Sequence, residues 1–415
     1  RVGAAAGRTD QQVVVAALAQ ALEQQEHLHL AAGEAHLAVD MDDAQRPLGI
    51  HLRSGLSWFS PRLDYHCRVM TNGLPPRAVA RVDELLAPSK PRGILFFSKH
   101  KSHTRVPSHL IRGFQSQGHR VLWLQPSRLS KLFGRELGEA FASRRGLAFR
   151  PDLILIYKHD VSPEFLRSFP SELPRVVYYE DLPPDPNAPG ERLLEVARQS
   201  SLLFTTAGGM VSIFERLGVP RVAYLRGGCD PLDHVQGRRR RAFEGEVAFI
   251  GKAFGEERVE LIREVASRFD LKLCGVGWKE TTGLDPTRAH VYPKQYREIC
   301  ASSRIVLGVD ARDDVYLYFS NRTWLTLGCG GFLLTRYIPG LEEFFTNHEH
   351  LVWFHSTQEA LELIDHYLKL DLERERIARA GYDYVHAYHT FRHATAEIIG
   401  TAFGEPWHRG VRRAQ

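Results

Sequence analysis

Three short stretches combine residue types that could hold a phosphorylated ligand. The first is Ser320-Asn321-Arg322, which follows an apolar run at 305–309 and a polar loop at 310–318. Ser320 or Asn321 can cap a helix start, and the free N–H groups there attract phosphate. Arg322, in the first turn, offers a planar fork of donors to a diphosphate. The second is Gly328-Cys329-Gly330-Gly331, which ends that helix and lets the chain turn tightly into an apolar run at 332–335. The third is Pro339-Gly340-Leu341-Glu342-Glu343, placed after that run. A carboxylate there can accept hydrogen bonds from ribose hydroxyls.

These stretches need a scaffold, and the chain supplies one by alternation. Short apolar runs at 93–97, 121–124, 152–157, 175–179, 202–206 and 221–225 read as buried parallel strands. Helical segments at 106–117, 191–199 and 209–217 separate them. Arg226-Gly227-Gly228-Cys229-Asp230-Pro231 and the basic run at 238–241 then break the pattern. It restarts with strands at 247–250, 271–274, 305–309, 332–335 and 351–354. Helices are expected at 256–269, after Ser356 (whose spacing to Glu359 suits a capping box) and at 391–403, capped by Thr390. Alternation of this kind implies parallel sheets covered on both faces. In such sheets ligands bind at the carboxyl ends of the strands. The fold class expected is α/β: two doubly wound, Rossmann-like units in series, facing a central cleft.

Composition narrows the class. The chain has 415 residues, 43% of them hydrophobic and 25% charged, enough for two ordinary cores. The net charge of +5 is compatible with an anionic ligand or contact with an acidic membrane surface. The run at 238–241 reads as a solvated linker, so no nucleic-acid partner is expected. Five cysteines, Cys67, Cys229, Cys274, Cys300 and Cys329, show no metal-ligand spacing and suit a reducing, cytoplasmic compartment. No His/Cys cluster suggests a metal. No run of about 18 apolar residues exists. A nucleophile elbow and a phosphate loop are both missing.

Ser320-Asn321-Arg322-Thr323-Trp324, Cys329-Gly330-Gly331-Phe332-Leu333-Leu334-Thr335 and Pro339-Gly340-Leu341-Glu342 together resemble the C-terminal domain of CgeB-like glycosyltransferases of the GT-B group. Val247-Ala248-Phe249-Ile250-Gly251 with Arg258, and His389-Thr390-Phe391, resemble the same family's first strand and last helix start. The resemblance covers about 150 residues; the first half matches only in general style. It implies an acceptor domain first and a nucleotide-diphosphate-sugar domain second, with no essential metal and no cofactor beyond the sugar nucleotide. It makes Gly251, Lys252, Arg258, Ser320, Asn321, Arg322, Gly340 and Glu342 the donor-binding candidates. An inverting enzyme would also need a base from the first half. His103, with His100 beside it, and Asp181 after the strand ending Tyr178-Tyr179 are the candidates; a retaining enzyme would need none. One departure is Leu325, where many relatives carry a ribose-holding Glu.

The domain organisation expected is an extension at 1–69, an acceptor domain at 70–228, a linker at 229–245, a nucleotide-sugar domain at 246–390, and a helix at 391–415 crossing back to the first domain. The acceptor class, whether glycan, lipid-linked or protein, stays open. A nucleotide-sugar epimerase and a non-catalytic shell of the same fold are the rival readings.

Overall fold

The computed structural model describes residues 90–99 and 105–405. The chain divides into two units, Arg1–Met70 and Thr71–Gln415, and all described residues belong to the second. The expected extension at 1–69, with Cys67, lies outside the described residues, as do His100, His103 and the last ten residues of the chain.

The first half runs β1 (Gly93–Phe97), α1 (Val106–Ser116), β2 (Arg120–Leu124), α2 (Pro126–Phe133), α3 (Arg135–Ala148), β3 (Leu153–Tyr157), α4 (Pro163–Leu166), β4 (Arg175–Tyr179), α5 (Glu191–Arg198), β5 (Leu202–Thr205), α6 (Val211–Arg216) and β6 (Val222–Tyr224). The second half runs β7 (Gly245–Ile250), α7 (Glu256–Arg268), β8 (Leu271–Cys274), α8 (Trp278–Thr282), α9 (Pro293–Ser302), β9 (Ser303–Gly308), α10 (Asn321–Gly328), β10 (Leu333–Arg336), β11 (Val352–Phe354), α11 (Thr357–Leu368), α12 (Asp371–Tyr388) and α13 (Phe391–Phe403).

Every pairing is parallel, in a six-stranded sheet β2-β1-β3-β4-β5-β6 and a five-stranded sheet β11-β10-β9-β7-β8. β1 is buried along its whole length, which is why it reads as an unbroken apolar run; β4 is buried too, and is apolar after its first residue, Arg175. The two sheets share one winding plan. Strand order reverses between β1 and β3 in the first, and between β7 and β9 in the second. Those switch points open a crevice at the carboxyl edge of each sheet.

Six of the described helices escape the sequence reading: α2, α3, α4, α8, α9 and α12. In α12 the buried positions are Arg374, Ile377, Gly381 and Val385. Only two of the four are apolar, so the periodicity is hidden. Gly381 serves close approach: a Cβ there would lie 2.2 Å from the His350 carbonyl. The last helix, α13, packs on the first half. Phe391, Ala394, Ile398 and Ile399 share one apolar cluster with Phe96 of β1 and Phe114 of α1. Gly113 of α1 admits it, since a Cβ there would stand 2.7 Å from the Phe391 carbonyl. The linker and the start of α13 run side by side, Cys229 N–H donating to His389 (2.9 Å) and Phe391 N–H to Cys229 (2.9 Å).

Candidate functional site

The carboxyl ends of β7 and β9 are tied together by one side chain. Arg322, in the first turn of α10, donates from Nη1 to the Ile250 carbonyl (3.2 Å) and from Nη2 to the Val309 carbonyl (3.0 Å). Nη2 also meets Asp310 Oδ1 at 2.9 Å, and Nε donates to Ser320 Oγ at 3.2 Å. Arg322 therefore straddles the switch point of the second sheet. Ser320 makes no side-chain cap to the helix, because its hydroxyl is given to Arg322 and its N–H to Asp310 (2.9 Å).

A second guanidinium stands beside the first. Arg258 of α7 is 6% exposed and donates to the Lys252 carbonyl at 3.2 Å. Its Nε has no partner among the described residues. Both guanidiniums lie over the Phe249 ring, at 6.0 Å for Arg258 and 5.7 Å for Arg322. Burial, and then the charge of Arg322, push the Arg258 pKa down to about 10. Among the described residues one carboxylate, Asp310, faces this pair. Such a pocket favours an added anion. Gly251 fits against it: a Cβ there would come within 2.2 Å of Arg322 Nη1.

The remaining donor-binding candidates spread around this centre. The Lys252 side chain is exposed. Gly340 has φ +91 and borders Leu317, which a Cβ would meet at 2.4 Å, so its glycine character serves the turn and that contact. Glu342 is exposed on the short helix Leu341–Glu343 and accepts from the Tyr337 hydroxyl at 2.9 Å. Leu325 is half-buried and packs against the cluster of Ile250, Tyr296 and Cys300.

On the first half, Glu180 is the residue that sequence reasoning passed over. It follows β4, one position before Asp181. Its carboxylate accepts from the Tyr157 hydroxyl and, at 3.3 Å, from Asn321 Nδ2 of α10. Lys158 Nζ stands 3.7 Å away. Burial raises the Glu180 pKa, and the Lys158 charge only partly offsets it. Asp181 is more open, with its side chain 53% exposed, and pairs with Lys158 at 2.7 Å. The signal available was the alternation of β4 itself. A residue two after the buried Tyr178 faces the same side of the strand's continuation.

The two halves meet around this carboxylate. Besides Asn321, the loop before α10 reaches across: Gly209 N–H donates to the Tyr316 carbonyl at 2.9 Å, and the Tyr318 hydroxyl meets the Leu182 backbone. Leu317, in that loop, has φ +56, and Lys158 has φ +59. Non-glycine residues enter that region at a cost; Leu317 packs on Gly208 and Gly340, and Lys158 stands beside Glu180. Asn321 is thus a link between the halves, a role its place at a helix start did not foretell.

The one group with metal-ligand spacing among the described residues is His109, Asp230 and Asp233. Arg112 fills it, donating from Nε to Asp230 at 2.7 Å and pairing with Asp233. The group is an ion-pair brace between α1 and the linker.

Residues 257–400 match a family model described as Glycosyl transferase-like. A search of curated proteins finds no match. Sucrose-phosphate synthase from Thermosynechococcus elongatus superposes with a TM-score of 0.57 at 12% identity, over 76% of this chain and 98% of that one. An alpha-glucosyltransferase solved with UDP-glucose and DNA containing an abasic site gives 0.56 at 10%, over 75% and 99%. HepE from Anabaena, in complex with UDP and glucose, gives 0.51 at 13%, over 75% and 99%. At such identities the likeness is one of fold. The fold is the two-sheet α/β arrangement of the GT-B group, and its second half carries a glycosyltransferase-like domain.

Proposed function

We propose that this chain is a CgeB-like glycosyltransferase that moves a sugar from a nucleoside-diphosphate donor to a hydroxyl-bearing acceptor, without a metal. The observation that carries the reading is the Arg258–Arg322 pair, two guanidiniums facing one carboxylate at the switch point of the second sheet. A diphosphate seated there would supply the missing negative charge. As the bond from the anomeric carbon to the phosphate oxygen breaks, the charge left on the diphosphate would be held by these groups and the start of α10. Glu342 or Glu343 stands on the loop after β10 and would hold the ribose.

The acceptor would lie over the first half. In an inverting transfer the acceptor oxygen bonds to the anomeric carbon and gives up its proton. Glu180 is better placed than Asp181 to take it, because burial raises its pKa toward the working range of a general base. His103 keeps its place as a second candidate base. The UDP-glucose, and the UDP and glucose, bound in two of the similar structures make UDP-glucose the first donor to try. Four buried free cysteines, Cys229, Cys274, Cys300 and Cys329, suit a reducing cytoplasm.

The test is a thermal-shift panel with UDP, GDP, TDP, ADP, CMP and their sugar conjugates. A ligand at about a hundred times its Kd should add about 2.7 kcal/mol of stability. The expected result is a shift with one nucleotide family that Arg258→Met abolishes. No shift with any nucleotide would sink the donor site. A non-catalytic shell is the second reading, favoured by Leu325, which serves the core where many relatives carry a ribose-holding Glu. Donor binding without release of free nucleotide from any sugar conjugate would select it.

A further inference from the structure

The α2–α3 hairpin presents a face that the cleft does not use. Residues 126–150 hold six basic side chains against two acidic ones, Glu136 and Glu139. Both helices expose leucines: Leu132 is 64% exposed, Leu147 41% and Leu137 37%. On α2, Arg128, Lys131 and Leu132 share one outward face by their three- and four-residue spacing, while Leu129 and Phe133 turn inward and Leu129 packs on the core. Arg128, Lys131 and Arg144 are exposed and form no ion pair with another described residue. Arg135, by contrast, is committed to Glu139 and Glu164. Gly138 lets α3 close onto α2, since a Cβ there would lie 2.4 Å from the Ser130 nitrogen. The hairpin is a closely packed pair that presents Arg128, Lys131 and Arg144 beside apolar side chains.

The geometry points to an anionic phospholipid surface as the occupant of this face. Basic groups draw a helix to anionic headgroups, and exposed leucines insert at the boundary with the acyl chains. The placement suits delivery of a membrane-held acceptor. α2 begins two residues after β2, at the carboxyl edge of the first sheet, the same edge that carries Glu180 after β4. Three strand spacings separate β2 from β4, roughly 14 Å. The surface itself stands whether or not the cleft is read as a glycosyl-transfer site.

The experiment is vesicle co-sedimentation of the full chain. Vesicles of phosphatidylcholine containing phosphatidylglycerol are compared with phosphatidylcholine alone, at low and high salt. Binding is expected on the anionic vesicles only, and weaker at high salt. Arg128→Glu with Lys131→Glu, and separately Leu132→Asp, should each lower the partition coefficient about tenfold or more, with unchanged thermal unfolding and unchanged nucleotide-induced shifts. Equal binding to both vesicle types, no binding to either, or variants that bind like the parent overturn the proposal. So does a change of oligomeric state in size-exclusion chromatography with vesicle binding unaltered, which would make the face a contact between copies. A failed nucleotide panel with intact vesicle binding would count against the donor site alone.

Discussion

Two adjacent carboxylates at the end of β4 differ in everything but position. Glu180, its side chain 11% exposed, sits against Tyr157 and Asn321; Asp181 is open and salt-bridged to Lys158. If Glu180 is the base, Glu180→Gln should lower kcat by roughly 10²–10⁴-fold and remove the acid limb of the pH–rate profile. That limb should sit above an ordinary carboxylate's, because burial raises the Glu180 pKa. Asp181→Asn should change kcat far less, and equal losses in both variants would count against the assignment. Arg322 makes a different kind of prediction. Its guanidinium spans Ile250, Val309, Asp310 and Ser320, so Arg322→Met should cost roughly 1–3 kcal/mol in urea unfolding as well as weaken donor binding. A variant of full stability that still loses the nucleotide shift would show that the clamp is dispensable and only the charge matters.

At the scale of elements, α13 is the part whose place matters most. It follows the second half in sequence and packs on the first, sealing one face of the six-stranded sheet through Phe391, Ile398 and Ile399. Ile398 is fully buried, so Ile398→Ala should cost about 2–5 kcal/mol in global stability. The informative measurement is whether the two halves still unfold together. Separate transitions in the variant, where the parent shows one, would identify α13 as the strap that couples them. A single transition of reduced midpoint would limit its role to core packing.

The whole molecule carries a pH dependence in its interface. His234 and His393 are buried, and burial lowers the pKa of each to about 3, with His109 the next cause for His234 and Arg226 for His393. Both imidazoles accept a backbone N–H at Nδ1, from Asp230 at 2.8 Å and from Thr390 at 3.2 Å, and protonation would turn each acceptor into a donor. The sign follows. Above pH 6.5 both are neutral folded or unfolded, and their contribution is fully present. As pH falls from 6.5 toward 3, the unfolded chain binds these protons first, so stability drops by up to about 1.4 kcal/mol per pH unit for each group. Denaturant unfolding at about pH 7.5 and about pH 5 should show that loss, and His234→Gln should reduce it. Equal stability at both values would mean that these rings find partners for the added proton.

How much of this was legible beforehand depended on which interactions are local. Strands β1 and β4, helix α13 and the restart of the pattern at β7 were readable, because a strand buried on both faces is mostly apolar and a capped helix announces its start. The place of Arg322, in the first turn of α10 at the carboxyl edge of the second sheet, followed from the same pattern. α12 was missed because an arginine and a glycine occupy its buried face, where only contact with the other elements makes them intelligible. Glu180 was missed for a related reason. Its neighbours Tyr157 and Asn321 lie 23 and 141 residues away in the chain, and only the folded arrangement brings them to one carboxylate. Local sequence determined the strands, the helix starts and the candidate anion-binding types, since those depend on hydrogen bonds and burial within a few residues. The tertiary structure decided that Asp310 is, among the described residues, the carboxylate that faces two arginines, and that Glu180 is more desolvated than Asp181, since charge compensation and desolvation depend on what the rest of the chain packs against them.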